Sequence, residues 1–321
     1  MTEAGAGEAA WAGALPESPL REAGRRFRRN GPALLSACYL AFLGVLLVVW
    51  PWVGGHDANA VSEAQFEPPT WTHPCGTDVH GRDVLTRMVL GGRISLLVGL
   101  AGAAVSLVIG VAWGGVAGYV GGRWDTFMMR IVDILYALPN IVFVIVLITT
   151  LEVFLRGFLE RLTAMQADGG LPMATLSRLL FLFVGLGAVS WLNMARIVRG
   201  QVLSLRTRSF VDASRALGAS HARILLRHIL PNVSGVIIVY LTLTIPAIVL
   251  YESFLSYLGL GIQPPMASWG SLIAEGAEQL NSVRNYWWLL VCPAGMLVST
   301  LLALNFVGDG LRDALDPRLG R

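Results

Sequence analysis

Residues 210–232 read FVDASRALGASHARILLRHILPN, and they sit between two long apolar runs. The stretch carries Arg215, Arg223, Arg227, His221 and His228, with Gly218 near its middle and Pro231 close to its end. It reads as two short helices. Residues 211–217 place Ala213, Ala216 and Leu217 on one small-residue face. Gly218 is expected to end that helix, because glycine adopts the left-handed conformation at a helix C-terminus without steric cost. Ser220 is placed to cap a second helix. There Arg223 and Arg227 share one face, while Ile224, Leu225 and Ile229 share another. Pro231 is expected to stop it just before the next apolar run. A polar insert running from residue 199 to 232 is far longer than a simple connection needs. Helix, turn and helix with a fixed stop predicts a rigid elbow. Such an elbow either lies as an amphipathic helix on the inner leaflet or plugs into a groove on a cytoplasmic partner.

What flanks the elbow decides the fold class. Hydrophobic residues make up 55% of the chain, charged residues 14%, and the mean hydropathy is +0.62. An ordinary soluble domain carries about 25% charged residues. Six uncharged stretches are candidate membrane spans: residues 33–50, 94–120, 134–151, 179–195, 233–251 and 286–307. Crossing the hydrocarbon core takes about 20 apolar residues, with roughly 17 acceptable. The shortest stretch, 179–195, contains Asn193 and also fits a buried core helix. The prediction is an all-α polytopic membrane protein with six transmembrane helices.

Basic residues set the orientation. The chain has 24 arginines and no lysine. With the N-terminus in the cytoplasm, 17 arginines fall on cytoplasmic segments and 7 on external ones. Both termini and the elbow are then cytoplasmic. Arginines within RRFRRN (residues 25–30) are expected to anchor the first span at anionic headgroups. The sequence ANA at residues 58–60 resembles a signal-peptide cleavage site, but the apolar run before it exceeds the usual h-region of about 7–15 residues. Residues 1–20 read as a disordered tail.

Several chemistries are absent. A Walker-type phosphate loop needs a lysine after its glycines, so any ATP belongs to another chain. Neither an H-E-x-x-H nor a G-x-S-x-G motif occurs, and no catalytic or metal-binding residue is assigned. The net charge of +3 comes with no basic, aromatic-interleaved patch suited to nucleic acid. Cys38 and Cys292 lie in apolar runs and Cys75 in an aqueous loop, without disulfide or metal-ligand spacing. Asp133, Glu252 and Asp309 lie near span ends and are read as solvated, which leaves no mid-membrane relay of charges. The polar residues Asn193, Thr242, Thr244 and Asn305 are the candidates for a path or gate. Pro139, Pro246 and Pro293 mark bends that are either static or points of flexure. Gly110, Gly114, Gly118 and Gly122 recur every four residues, a stripe for close helix approach inside the bundle or with a partner subunit. In the segment 151–178, Phe154, Leu155, Phe158, Leu159 and Leu162 predict an amphipathic helix, with Glu152 and Arg156 four apart beside it.

The elbow resembles the EAA loop of permeases of bacterial binding-protein-dependent ABC importers. Asp212, Ala213, Ser214, Gly218, Ile229, Leu230 and Pro231 match the motif, Asp212 standing for the usual glutamate and Ser214 for the second alanine; Ala219 follows the glycine. Residues 73–99 (HPCGTDVHGRDVLTRMVLGGRISLLVG) look like the segment before the second span in the DppC/OppC branch. Residues 253–276 (SFLSYLGLGIQPPMASWGSLIAEG) are similar to that branch's external segment after the fifth span. The resemblance implies a type I importer (MetI-like) fold: a cytoplasmic tail (1–32), one span with an external segment (33–92), a five-span core with the elbow at 199–232 (93–309), and a second tail (310–321). It implies as partners a second permease of the DppB/OppB type, two ABC ATPase subunits carrying ATP and Mg, and an extracytoplasmic solute-binding protein, all at a bacterial cytoplasmic membrane. The solute it implies is a di- or oligopeptide, with nickel or another small solute as the alternative. A passive channel or scaffold is the rival from another class, and it has no need of a rigid elbow.

Overall fold

The computed structural model describes residues 19–54, 57–150, 153, 173–264, 266–280 and 284–315, with the backbone alone for 19–20 and 173–182. Among these residues the regular structure is helical, and β-pairing is confined to isolated bridges at Thr77–Asp83 and Leu280–Asn285. The helices are α1 (Pro19–Arg29), α2 (Gly31–Val53), α3 (Val84–Val120), α4 (Gly122–Tyr136), α5 (Asn140–Thr150), α6 (Met173–Leu205), α7 (Ser209–Ala216), α8 (His221–Tyr257), α9 (Trp269–Glu278) and α10 (Trp288–Leu315). The predicted helix within 151–178 lies outside the described residues. Of the expected disordered tail (1–20), residues 1–18 lie outside the described residues and Pro19 and Leu20 open α1; Asn30 then caps α2 by accepting from the Ala33 N–H at 3.2 Å.

Among the described residues, α2, α3, α8 and α10 are each long and apolar enough to cross a membrane. The stretch 134–151 is not the single straight span that was expected. Its first residues complete α4, its remainder forms α5, and the two helices meet at 93°. The reason is Pro139, which has no N–H to donate and forces Leu138 out of helical geometry. Counting α4 and α5 as one broken span gives five. The stretch 179–195 is helical throughout as part of α6. Pro246 and Pro293 are buried inside continuous helices and break neither α8 nor α10.

The most extensive helix pair is α3 against α6, and the glycine stripe explains it. A Cβ on Gly110 would lie 2.6 Å from the Met194 Cβ, one on Gly114 would lie 2.3 Å from the Ala195 carbonyl oxygen, and one on Gly118 would lie 2.8 Å from the Arg199 carbonyl oxygen. Small residues at this spacing allow backbones to touch where lipid offers no hydrophobic drive for association. The stripe thus packs inside this chain. Gly122 is not part of the seam: it lies past the end of α3 at φ 61°, in open space. Ala117, Leu192 and Ala195 are fully buried along the same interface.

The end of the bundle where α3 begins is held by polar side chains. Asp83 caps α3 through the Thr86 N–H (2.8 Å) and pairs with His73 (3.0 Å). Arg87, 4% exposed, donates to both Glu275 oxygens on α9 (2.6 and 3.0 Å) and to Asp78 (2.8 Å). Glu252 overturns its solvated reading, for it has no exposure at all. Ser95 of α3 donates to one of its oxygens at 3.0 Å and Ser256 to the other at 2.7 Å. The Trp269 N–H in turn donates to Ser95 (3.2 Å) and the Ile262 N–H to Ser256 (3.3 Å). One buried carboxyl group therefore ties α3 to α8, and through its serines to the chain leading into α9. Burial without partners is prohibitive for such a group, and the serines supply them.

Candidate functional site

The elbow is built at the opposite end of α3. Its first residues, 199–205, are the last turns of α6, which gives out at Leu205. The Arg206 guanidinium donates to the last carbonyls of α3, at Gly118 (3.2 Å) and Tyr119 (3.4 Å). A cation there satisfies orphan acceptors and meets the negative end of the helix dipole. Gly121, at φ 68°, leaves the room that this guanidinium occupies.

The first elbow helix, α7, ends as the sequence predicts. Gly218 has φ 77°. Its N–H donates to the Arg215 carbonyl (2.9 Å), and the Ala219 N–H donates to the Ser214 carbonyl (3.1 Å). These two bonds form a Schellman turn, which requires a left-handed residue at Gly218. The Ser220 hydroxyl then caps the next helix by accepting from the Arg223 N–H (3.4 Å). A further tie follows immediately, since His221 Nδ1 and the Tyr119 hydroxyl on α3 are 2.9 Å apart.

Pro231 does not stop the second helix. The chain passes through residues 224–229 as a π-helical segment and continues to Tyr257. The Leu230 N–H donates to the Leu225 carbonyl, five residues back. The register change leaves Pro231 in the first turn of the following α-segment, where its missing N–H costs little. The elbow is consequently one piece with the long helix α8.

The two sides of the elbow differ sharply. Val211, Ile224 and Ile229 are fully buried, in one cluster with Met194, Val198, Val202 and Val233. Asp212, Ala213, Arg215, Ala216, Leu217 and Gly218 face outward, and Leu217 is 88% exposed. Ser214 and Ala219 are half-buried; the Ser214 hydroxyl returns to the Phe210 carbonyl at 2.8 Å. Leu230 is half-buried against the same cluster and Pro231 is exposed. Asp212 pairs with Arg215 at 3.1 Å in solvent. At the start of the 199–232 insert, Arg199 grips Asp125 of α4 through two bonds of 2.5 and 2.7 Å. Those bonds raise the Arg199 pKa above its ordinary value, keeping the charge fixed. This clamp and the Arg206 cap were not legible in the sequence, since the residues joined are 74 and up to 88 positions apart. Replacing Asp125 by asparagine is expected to destabilise the elbow's base by about 1–3 kcal/mol, because a partly buried guanidinium loses its ionic acceptor. Faster hydrogen exchange across residues 199–208 than in the parent protein would register it, and unchanged exchange would refute it.

The four path candidates lie on three helices. Asn193 is exposed on α6. Thr242 donates to the Val239 carbonyl (2.8 Å) and Thr244 to the Tyr240 carbonyl (2.7 Å), both within α8. Asn305 is exposed on α10 and donates to the Leu301 carbonyl (2.9 Å). Thr242 also lies beside Gly308 of α10, so close that a Cβ there would be 3.2 Å from its hydroxyl. Glu252 is the group the sequence reading missed. Its signal was present: Ser256 follows four residues later, on the same helix face.

Comparison with known proteins matches this chain to a family. The family model described as "Binding-protein-dependent transport system inner membrane component" covers residues 110–321, elbow included. The chain belongs to that family. A second model, "N-terminal TM domain of oligopeptide transport permease C", matches residues 18–69. This family member is 46% identical to the oligopeptide transport system permease protein OppC of Salmonella typhimurium, over 93% of this chain and 91% of that one. It is 43% identical to the dipeptide transport system permease protein DppC of Bacillus subtilis, over 94% and 86% of the two chains. Among solved structures it is similar to the MetNI methionine ABC transporter in an inward-facing conformation. That likeness has a TM-score of 0.51 and 20% identity over 71% of this chain and 96% of that one, so it establishes the MetI-like fold alone.

Proposed function

We propose that this chain is a permease subunit of an ATP-driven, binding-protein-dependent importer that carries di- or oligopeptides across the bacterial cytoplasmic membrane. The observation that carries the reading is the elbow itself. Its apolar side is locked to α3, α6 and α8, and its other side presents Asp212–Leu217 to a partner. Relatives of this likeness over nearly their whole length are named as oligopeptide and dipeptide permeases, which favours peptides as the solute.

In this reading ATP and its Mg stay on two separate ATPase subunits. A second permease of the DppB/OppB type completes the path, and an extracytoplasmic binding protein delivers the solute. Six spans cross the membrane, α6 and the broken α4–α5 pair contributing one each, with both termini and the elbow in the cytoplasm. The arginine asymmetry supports that orientation. Asn193 and Asn305, exposed in this chain, are the stronger candidates for facing the path. Closure of the ATPases pushes on α7, and the unbroken α8 conducts the displacement into the membrane.

The reading is tested by tagging this chain and recovering its complex from membranes. ATPase subunits are expected to co-purify, and hydrolysis to be stimulated by peptide-loaded binding protein. A carboxylate put in place of an apolar contact must be desolvated without a partner when the interface closes, so Leu217→Asp is expected to lower ATPase recovery at least tenfold, equivalent to about 1.4 kcal/mol. Gly218→Val is expected to leave the chain in the membrane but cut stimulated hydrolysis several-fold, since a left-handed non-glycine residue costs about 1–2 kcal/mol. Purification without any ATPase would point to a channel or scaffold, and stimulation by nickel but not by peptides would reassign the solute.

A further inference from the structure

Cys75 and Cys292 are 217 positions apart in the chain, yet the fold brings both to one place. Both border the apolar cluster of Val84, Met88, Leu272, Trp288 and Leu289. Both thiols are free and half-buried at that one cluster. The chain around Cys75 is already seated on the first turns of α10. Gly76, at φ 71°, approaches so closely that a Cβ there would lie 2.7 Å from the Trp288 indole. The Trp288 indole N–H donates to the Thr77 carbonyl (3.4 Å), and Phe66 stacks on Tyr286 with ring centroids 4.2 Å apart. Trp288 and Cys292 are one turn apart on α10, so both face this segment.

We propose that Cys75 and Cys292 form a disulfide that staples the segment between α2 and α3 to α10. This inference rests on the orientation given under Proposed function, which puts both residues on the external side. Disulfides persist there, whereas cytosolic thiols are kept reduced. The reaction is thiol–disulfide exchange with a disulfide-bearing oxidant of that compartment. One cysteine thiolate attacks the oxidant's disulfide, forming a mixed disulfide and releasing one oxidant thiol. The second cysteine then displaces the other oxidant thiol and closes the Cys75–Cys292 bond. The pair gives up two electrons and two protons, and the oxidant leaves as two thiols. A disulfide needs Cα atoms roughly 4.4–6.8 Å apart with side chains directed at each other, and two thiols held beside one apolar cluster by a fixed backbone seat need only a small approach. The bond would hold this segment to α10 while the spans move.

The test uses the full chain in its native complex, in a Cys38→Ser background. Membranes are harvested directly into N-ethylmaleimide, then reduced and treated with iodoacetamide, and the labels are read by mass spectrometry. The expected result is that Cys75 and Cys292 carry the second label together, and that Cys75→Ser shifts Cys292 to the first label. Both cysteines carrying N-ethylmaleimide in the parent protein would overturn the proposal. A separate arm tests orientation alone. Trp71, fully exposed in the same segment, is replaced by cysteine in a chain whose native cysteines are all serine, and spheroplasts are treated with a membrane-impermeant maleimide. Labelling of Trp71→Cys is expected. Its failure would overturn the orientation and the disulfide with it, whereas labelling combined with free Cys75 and Cys292 would overturn the disulfide alone.

Discussion

Gly114→Leu is expected to abolish assembly of the helix bundle, leaving little or no protein in the membrane fraction. A Cβ at Gly114 would lie 2.3 Å from the Ala195 carbonyl oxygen and 3.0 Å from both the Ala195 Cα and its carbonyl carbon. All three are backbone atoms of α6, so no change of rotamer relieves the clash. Overpacking a well-filled core costs typically about 1–3 kcal/mol for a modest addition, which is the expectation for Gly114→Ala. Leucine has no room at all and must force α3 and α6 apart along their whole seam. The neighbouring residue is the control. A Cβ at Gly115 meets nothing nearer than the Leu230 Cδ2 at 3.7 Å, an ordinary contact, so Gly115→Ala is expected to leave stability unchanged or raise it by up to about 1 kcal/mol. The checks are membrane abundance and thermal stability in detergent. Equal behaviour of Gly114→Leu and Gly115→Ala would mean that α3 and α6 do not touch at this glycine.

The second large effect is expected at Glu252. Replacement by alanine removes the acceptor for Ser95 and Ser256 in a site with no exposure. Each buried hydroxyl left without a partner costs about 1–3 kcal/mol. The loss spreads, because Ser95 also accepts from the Trp269 N–H and Ser256 from the Ile262 N–H. The approach to α9 should therefore loosen along with α8. Glu252→Gln keeps the shape and one acceptor oxygen, and is expected to be intermediate. A melting temperature that falls in the order parent, Glu252→Gln, Glu252→Ala would bear this out. An alanine variant as stable as the parent would show that the carboxyl group is dispensable.

These predictions come from different levels of information. The elbow's turn and its two faces were legible, although its expected stop at Pro231 was not borne out. Gly218, Ser220 and the split between Ile224, Ile229 and the arginines act through bonds and faces only a few residues apart, so local rules locate them. The apolar runs were legible for a similar reason: length and hydropathy are properties of a single segment. Family membership also follows from the chain alone, because its signature positions lie within short motifs.

Tertiary structure decided everything that depends on two segments meeting. The glycine stripe announced a close approach but not its partner, which proved to be α6. Pro139 and Pro231 look alike in sequence, each being a proline at the edge of an apolar run. One turns the chain by 93°, while the other is absorbed because a π-helical register shift has already removed the need for its N–H. Glu252 reads as a solvated group at a span's end until Ser95, 157 positions away, is brought to it. Cys75 and Cys292 are an unremarked loop thiol and an apolar packing residue until α10 carries one beneath the other. Short-range hydrogen bonding and hydropathy can be read along the chain, but a buried polar group or a helix seam takes its meaning from atoms that only folding brings within reach.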